Sequence, residues 1–195
     1  MNGPNTSHPR GHDAAPTCAV TVPVSLAPDE AARDLAPRLR SLAGEGTPAS
    51  SPGEPARAPR GVPVVTIDGY SGSGKSTLAA ALARLLPGWQ VLHLDDWYPG
   101  WDGLALGAEI ARRIAADLRE GRASSYVTWD WEAGAPGHAV QVPLAPTIIE
   151  GCGAWDADAD LSVWIADPGE AERRRRARPT RHTGSAGPCR IGAAR

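Results

Sequence analysis

Val62-Pro63-Val64-Val65-Thr66-Ile67-Asp68-Gly69-Tyr70-Ser71-Gly72-Ser73-Gly74-Lys75-Ser76-Thr77 decides the architecture of this 195-residue chain. Its first six residues form an apolar, β-branched run that reads as a buried strand. Gly69 to Thr77 satisfies the pattern G-x-x-x-x-G-K-S/T at every fixed position, and Ser76 to Leu86 reads as a helix. A strand, a glycine-rich loop and a helix in that order gather free backbone N–H groups and the positive end of a helix dipole at one point, which favours an anion. Glycine at 69, 72 and 74 lets the backbone curl with its N–H groups inward. Tyr70, Ser71, Ser73 and Thr77 complete this cradle. In it Lys75 would reach the β- and γ-phosphates of a nucleoside triphosphate, and the Ser76 hydroxyl would ligate Mg²⁺.

Lys75 is the only lysine of the chain. Guanine recognition through an Asn-Lys-x-Asp element is therefore excluded, and the Leu-Ser-Gly-Gly signature of transporter ATPases is absent too. Any further positive charge near the phosphates must come from arginine, and arginines cluster at Arg173-Arg174-Arg175-Arg176-Ala177-Arg178. That run sits on an expected helix after the fourth strand. Most of it reads as a solvated basic face, while one or two of its side chains could close over the nucleotide. The net charge of −2 carries no nucleic-acid footprint. No stretch approaches the apolar length of a membrane span and the N-terminus lacks the apolar core of a signal peptide, so a cytoplasmic location is expected. Cys18, Cys152 and Cys189 show no C-x-x-C spacing and indicate neither zinc nor a disulfide framework.

Upstream of the phosphate loop, residues 1–60 are rich in proline, alanine, serine and glycine. They read as a mostly disordered extension with one helix-compatible run, Asp29 to Leu42, interrupted at Pro37. Downstream, apolar strands alternate with helical stretches. Gln90 to Leu94 reads as a strand ending in Asp95-Asp96, and Leu104 to Glu120 reads as a helix. Its Leu106, Ile110, Ile114 and Leu118 recur every fourth residue along one face, and Gly121 ends it. Thr147-Ile148-Ile149 leads to Glu150, and Leu161 to Ile165 forms a further strand. Continuous apolar strands separated by helices imply a parallel sheet covered on both faces, with ligands at the strands' carboxyl ends. The phosphate loop, Asp95-Asp96 and Glu150 all fall at such ends. There a carboxylate can hold Mg²⁺ or accept a proton from an attacking hydroxyl.

His93, inside an apolar strand, reads as a packed, hydrogen-bonded core residue. Trp164 reads as core filling. Trp129 and Trp131 lie in an irregular stretch expected to project from the sheet, as loop anchors or as an aromatic wall for a planar or sugar-like substrate.

Taken together, Asp68 to Thr77, Asp95-Asp96-Trp97-Tyr98 and Ile148-Ile149-Glu150-Gly151 resemble the P-loop kinases of the uridine kinase, pantothenate kinase and phosphoribulokinase group, most closely uridine kinase-like proteins. The resemblance covers about 62–178. It implies an α/β P-loop NTPase sandwich of three layers with a parallel sheet, and phosphoryl transfer from Mg·ATP to a hydroxyl of a small metabolite, a nucleoside being the best guess. Asp95 then corresponds to the base toward the acceptor hydroxyl and Glu150 to the residue that helps organise Mg²⁺. Tyr126 corresponds to the start of the substrate-contacting segment, with Tyr98 and Trp131 as further substrate contacts. Arg174 and Arg178 fall in the start of the lid.

Uridine kinases place a histidine after the tyrosine of that segment, where this chain has Tyr126-Val127-Thr128-Trp129-Asp130-Trp131. Members of the group also continue past the lid with a helix and a final strand, whereas 179–195 is polar, glycine-rich and aperiodic. The expectation is a sheet without its last strand, with an irregular tail arising from a frameshift or truncation. Two other classes compatible with the phosphate loop are an ATP-binding regulatory module without catalysis and a nucleotide hydrolase.

Overall fold

The computed structural model describes residues 18–44, 61–100 and 102–166. In chain order the elements are β1 (Ala19–Pro23), α1 (Pro28–Leu42), β2 (Val64–Gly69), α2 (Lys75–Leu85), β3 (Gln90–His93), α3 (Leu104–Arg119), β4 (Ser124–Asp130), β5 (Ala135–Val142), β6 (Thr147–Glu150) and β7 (Leu161–Ala166). Five strands form one sheet in the order β1-β7-β2-β6-β3, and every neighbouring pair is parallel. The central strand β2 is buried at all six positions, as expected of a parallel strand covered on both faces. This is the α/β architecture expected from the strand–loop–helix order.

The N-terminal segment departs from expectation. Rather than a loosely attached extension, residues 18–44 supply a strand and a helix of the domain. β1 pairs with β7 from Ala19↔Ser162 to Pro23↔Ala166, so the edge beside β7 is filled from the chain's other end. α1 packs along α2 and buries Ala32, Leu35, Ala36 and Leu39 in a core shared with Val65, Ile67, Leu78, Leu82 and Ile148. Arg84 pairs with Asp29 at 2.6 Å, and Arg40 donates to the Leu85 carbonyl at the end of α2 at 2.8 Å. The helix also runs unbroken through Pro37. Pro37 lies on the exposed face, where the carbonyl of Arg33 that loses its partner can turn to water. Leu39 is fully buried, so Leu39→Ala is expected to destabilise the domain by about 2–4 kcal/mol. Chemical denaturation would measure it, and an unchanged midpoint would return this segment to the status of an appendage.

The opposite layer holds α3 and a separate antiparallel hairpin, β4–β5. Its core gathers Leu92, Trp97, Tyr98, Ile114, Leu118 and Tyr126. On α3 the buried positions are Gly107, Ala108, Ala111, Ile114, Ala115 and Leu118, while Leu106 is exposed. Residues spaced by four drift about 40° per step on a 3.6-residue helix, so three steps carry Leu106 away from the face of Leu118. The hairpin corrects the expected irregular stretch. Ser124 to Asp130 is a strand whose register shifts between Val127 and Trp129, the kind of bulge that re-aims a side chain. Residues 173–178 and the tail from 179, and with them the readings made for Arg174 and Arg178, lie outside the described residues. Among the described residues no helix is long and apolar enough to cross a membrane.

Candidate phosphate and acceptor site

β2 delivers the chain into the phosphate loop, and the loop delivers it into α2. Gly69 turns with φ +152°, and a Cβ there would fall 2.8 Å from the Ile165 carbonyl oxygen and 2.9 Å from Ser73 Oγ. Gly74, the residue before the helix, is left-handed at φ +99°. Both positions thus require glycine for backbone reasons. Lys75 opens α2 and is 8% exposed. Its Nζ donates to the carbonyls of Gly69 and Tyr70, each at 3.0 Å, and approaches Cys152 Sγ at 3.5 Å. The ammonium is held at the mouth of its own loop. Ser76 and Thr77 are exposed in the first turn of α2, where N–H groups lack intrahelical partners. Gly72 supplies a further positive φ of 81°. Tyr70 is 42% exposed and meets the Trp164 ring edge-on at 5.9 Å. Trp164 also stands edge-on to Trp155 at 6.0 Å. It is half-buried beside the loop rather than core filling.

The carboxyl ends of β3 and β6 bring the acids to this loop. Glu150 ends β6 and is buried, and its Oε1 lies 2.6 Å from His93 Nδ1 at the end of β3. His93 and Glu150 are register partners, which explains their contact. Hydrogen bonding to Glu150, against partial burial, raises the His93 pKa. His93 is hydrogen-bonded as expected, but its side chain is 44% exposed and so belongs to the crevice rather than to the core.

Asp95 lies in a 3-10 turn, Leu94–Asp96. Although the residue is open to solvent, its carboxyl is walled on one side by protein. That burial, then the Glu150 charge, push its pKa above the ordinary aspartate value, while Lys75 opposes the rise. Asp95, Glu150, His93 and Lys75 therefore share one electrostatic neighbourhood.

The hairpin closes the other side. Trp131 Nε1 donates to the backbone carbonyl of Asp95 at 3.0 Å, with the residue 41% exposed. Tyr126 is buried, packs on Trp97 with ring centroids 4.7 Å apart, and hydrogen-bonds Asp96 through its hydroxyl. Its own ionisation is pushed up, by burial first and by Asp96 second. Tyr98 is buried, its ring against Gly107 and its hydroxyl donating to the Cys152 carbonyl. Trp131 and Asp95 are thus exposed beside the strand ends, whereas Tyr126 and Tyr98 are buried behind them.

Three residues of the site take structural roles that the sequence did not indicate. Asp68, directly before the loop, is buried and accepts from the N–H of Gly69 at 2.6 Å, of Gly153 at 3.0 Å and of Trp155 at 2.9 Å. Burial raises its pKa against those three bonds and Lys75. It ties the end of β2 to the loop after β6 and so places Cys152, the second of the three, beside Lys75. The third is Asp96, which anchors Tyr126. Asp68→Ala would leave buried N–H groups without an acceptor, at an expected cost of about 2–4 kcal/mol. Thermal unfolding of the variant checks this, and a wild-type Tm would show that the strut is dispensable.

The oxygen donors at the crevice, the Ser76 hydroxyl and the Glu150 and Asp95 carboxylates, are hard ligands of the kind Mg²⁺ takes. No group of three or more His, Cys, Asp or Glu side chains among the described residues forms an all-protein cage. Such a cage is not what Mg²⁺ requires, since it commonly keeps waters and substrate phosphates as ligands.

No protein-family model and no curated protein matches the chain. Among solved structures it is similar to a possible uridine kinase from Bacillus stearothermophilus, with 22% identity over 71% of this chain and 83% of that one and a TM-score of 0.46. It is also similar to a candidate fructose transport system kinase from Silicibacter sp. TM1040, with 22% identity over 77% of this chain and 80% of that one and a TM-score of 0.47.

Proposed function

We propose that the protein is an ATP-dependent phosphotransferase that moves the γ-phosphoryl group of Mg·ATP to a hydroxyl of a small metabolite, with a nucleoside as the first candidate. The observation that carries this reading is the placement of the Asp95 carboxyl within electrostatic reach of Lys75 and Glu150, at strand ends beside the phosphate loop. Phosphoryl transfer asks the protein mainly for position and charge neutralisation. The loop N–H groups and Lys75 would bind the phosphates, and Ser76 and Glu150 would hold Mg²⁺, which would supply neutralisation of phosphate charge. Asp95 accepts or orients the proton of the attacking hydroxyl, a task suited to a carboxylate whose affinity for protons is raised. Arg174 and Arg178 are assigned, from the resemblance alone, to neutralising the transferring group.

The test is ADP release from Mg·ATP with and without added hydroxyl compounds. Release that depends on an acceptor supports the reading. Release without any acceptor makes the protein a hydrolase, and nucleotide binding without release makes it a regulatory module.

A further inference from the structure

The rows of the sheet show how Glu150 is held. It has a register partner on each side, Ile67 of β2 and His93 of β3, and Ile67 stands in turn beside Val163 of β7. Side chains alternate between the two faces of a strand, so register partners in a sheet share a face. Ile67 and Val163 pack in one core with Leu78 and Leu82 of α2. Glu150 and His93 therefore belong to the face that α2 covers. In β2 their row lies two residues before Gly69, where the chain turns into the phosphate loop.

The ladders to β2 and β3, with the Gly151 N–H donating to the Ile67 carbonyl at 3.1 Å, fix the backbone of Glu150. They do not fix its carboxylate, which rotates at the end of a flexible side chain. His93 supplies that restraint. An ionised carboxylate accepts hydrogen bonds and donates none, so the imidazole is the donor, and its Nδ1–H bonds Glu150 Oε1 at 2.6 Å. Bonds to an ionised oxygen are among the short and strong ones. The partners differ in exposure, 5% for the Glu150 side chain and 44% for that of His93. A buried carboxylate is thus restrained by a group that can be exchanged at the surface without opening the core.

We propose that His93 is a positioning residue for the metal: through its Nδ1–H it holds the Glu150 carboxylate in a single orientation for Mg²⁺. This rests on the part of the phosphotransferase reading that gives Glu150 to Mg²⁺. Hydrogen-bonded partners orient ligating carboxylates in this way, and a carboxylate has a second oxygen to offer once the first is engaged. Without the bond the carboxylate spreads over its rotamers, and metal affinity falls with the fraction of molecules that present it correctly. Glu150 and His93 also both act on the charge of Asp95, so rates alone do not isolate this role. Metal-dependent nucleotide binding does.

The test measures the Kd of a non-hydrolysable ATP analogue for the full-length protein in EDTA and in excess Mg²⁺, and takes the ratio as the tightening due to the metal. His93→Asn keeps an N–H near the place of Nδ1, His93→Gln offers one nearer that of Nε2, and His93→Ala offers none. In His93→Ala and His93→Gln the tightening is expected to fall about tenfold, while in His93→Asn it stays within about twofold of wild type. Kd in EDTA should be unchanged in all three, and thermal unfolding checks that each is folded. If His93→Ala does not fold, His93→Gln against His93→Asn carries the same comparison. Equal tightening in wild type and these variants, or a loss in His93→Asn as large as in His93→Gln, overturns the inference and leaves the phosphotransferase reading standing. No tightening by Mg²⁺ in wild type overturns the assignment of Glu150 to the metal and this inference with it. The expected pattern in protein that shows no acceptor-dependent ADP release overturns the phosphotransferase reading and leaves the role of His93 in place.

Discussion

Lys75→Ala is expected to abolish acceptor-dependent ADP release, lowering kcat/KM by at least about 10³-fold, on the scale of losing a preorganised charge contact to the reacting group. The chain has no other lysine, and among the described residues the arginines lie outside the segments around the loop. The loss has a structural component too. Lys75 Nζ bonds two carbonyls of its own loop and lies near Cys152, so alanine also removes those two bonds, although the Tyr70 carbonyl keeps the Ser73 N–H and the Gly69 carbonyl the Cys152 thiol. Lys75→Arg separates the two components. It restores charge, but a planar guanidinium does not reproduce the point charge that fits between the Gly69 and Tyr70 carbonyls. Its kcat/KM is expected to stay at least tenfold below wild type. Steady-state kinetics with thermal unfolding of each variant gives the answer, and full activity in folded Lys75→Ala protein would remove the catalytic assignment altogether.

Asp95→Asn is expected to lower kcat by about 10²- to 10⁴-fold, the usual worth of a positioned proton acceptor, with KM for ATP nearly unchanged because Asp95 stands on the acceptor side. Asparagine keeps the size and the backbone carbonyl that holds Trp131. A fall in kcat therefore reports the carboxylate and not the wall. The pH dependence has a definite sign. A base works when ionised, and burial together with Glu150 moves the Asp95 pKa upward. Activity should then be lost as pH falls through a value above that of an ordinary aspartate, and this acid limb should disappear in Asp95→Asn. A wild-type acid limb at the ordinary aspartate value, or an unaltered limb in the variant, would contradict the assignment.

How much of this was legible without coordinates depends on how local each feature is. The phosphate loop is a contiguous pattern, and a glycine required at 69 and 74 by backbone geometry is visible wherever that pattern is. Asp95 and Glu150 were legible for a similar reason. Each directly follows an apolar run, and in a parallel sheet the residue after such a run falls at the ligand end. Trp131 was visible as an aromatic in the right region, but its bond to the Asp95 carbonyl joins segments 36 residues apart in the chain. The hairpin itself was obscured because its exposed outer face breaks the apolar runs that mark buried strands.

The N-terminal strand was hidden by composition and by distance. Proline-, serine- and glycine-rich flanks surround a five-residue run, and its partner β7 lies more than a hundred residues away along the chain. Parallel pairing has no short-range sequence signature, since no tight turn joins the partners. α1 was misjudged at Pro37 because proline opposes helix only where its neighbours need the lost bond, and on the exposed face water supplies it.

The sequence by itself determined the phosphate loop, the α/β class and the two acids at strand ends, because each is set by residues adjacent in the chain. Only the tertiary structure decided that β1 and α1 belong to the domain, that Asp68 braces the loop after β6, and that the Trp131 indole bonds the Asp95 carbonyl. Those features arise from pairing and packing between segments far apart in sequence, where burial and register, not local propensity, choose the partner.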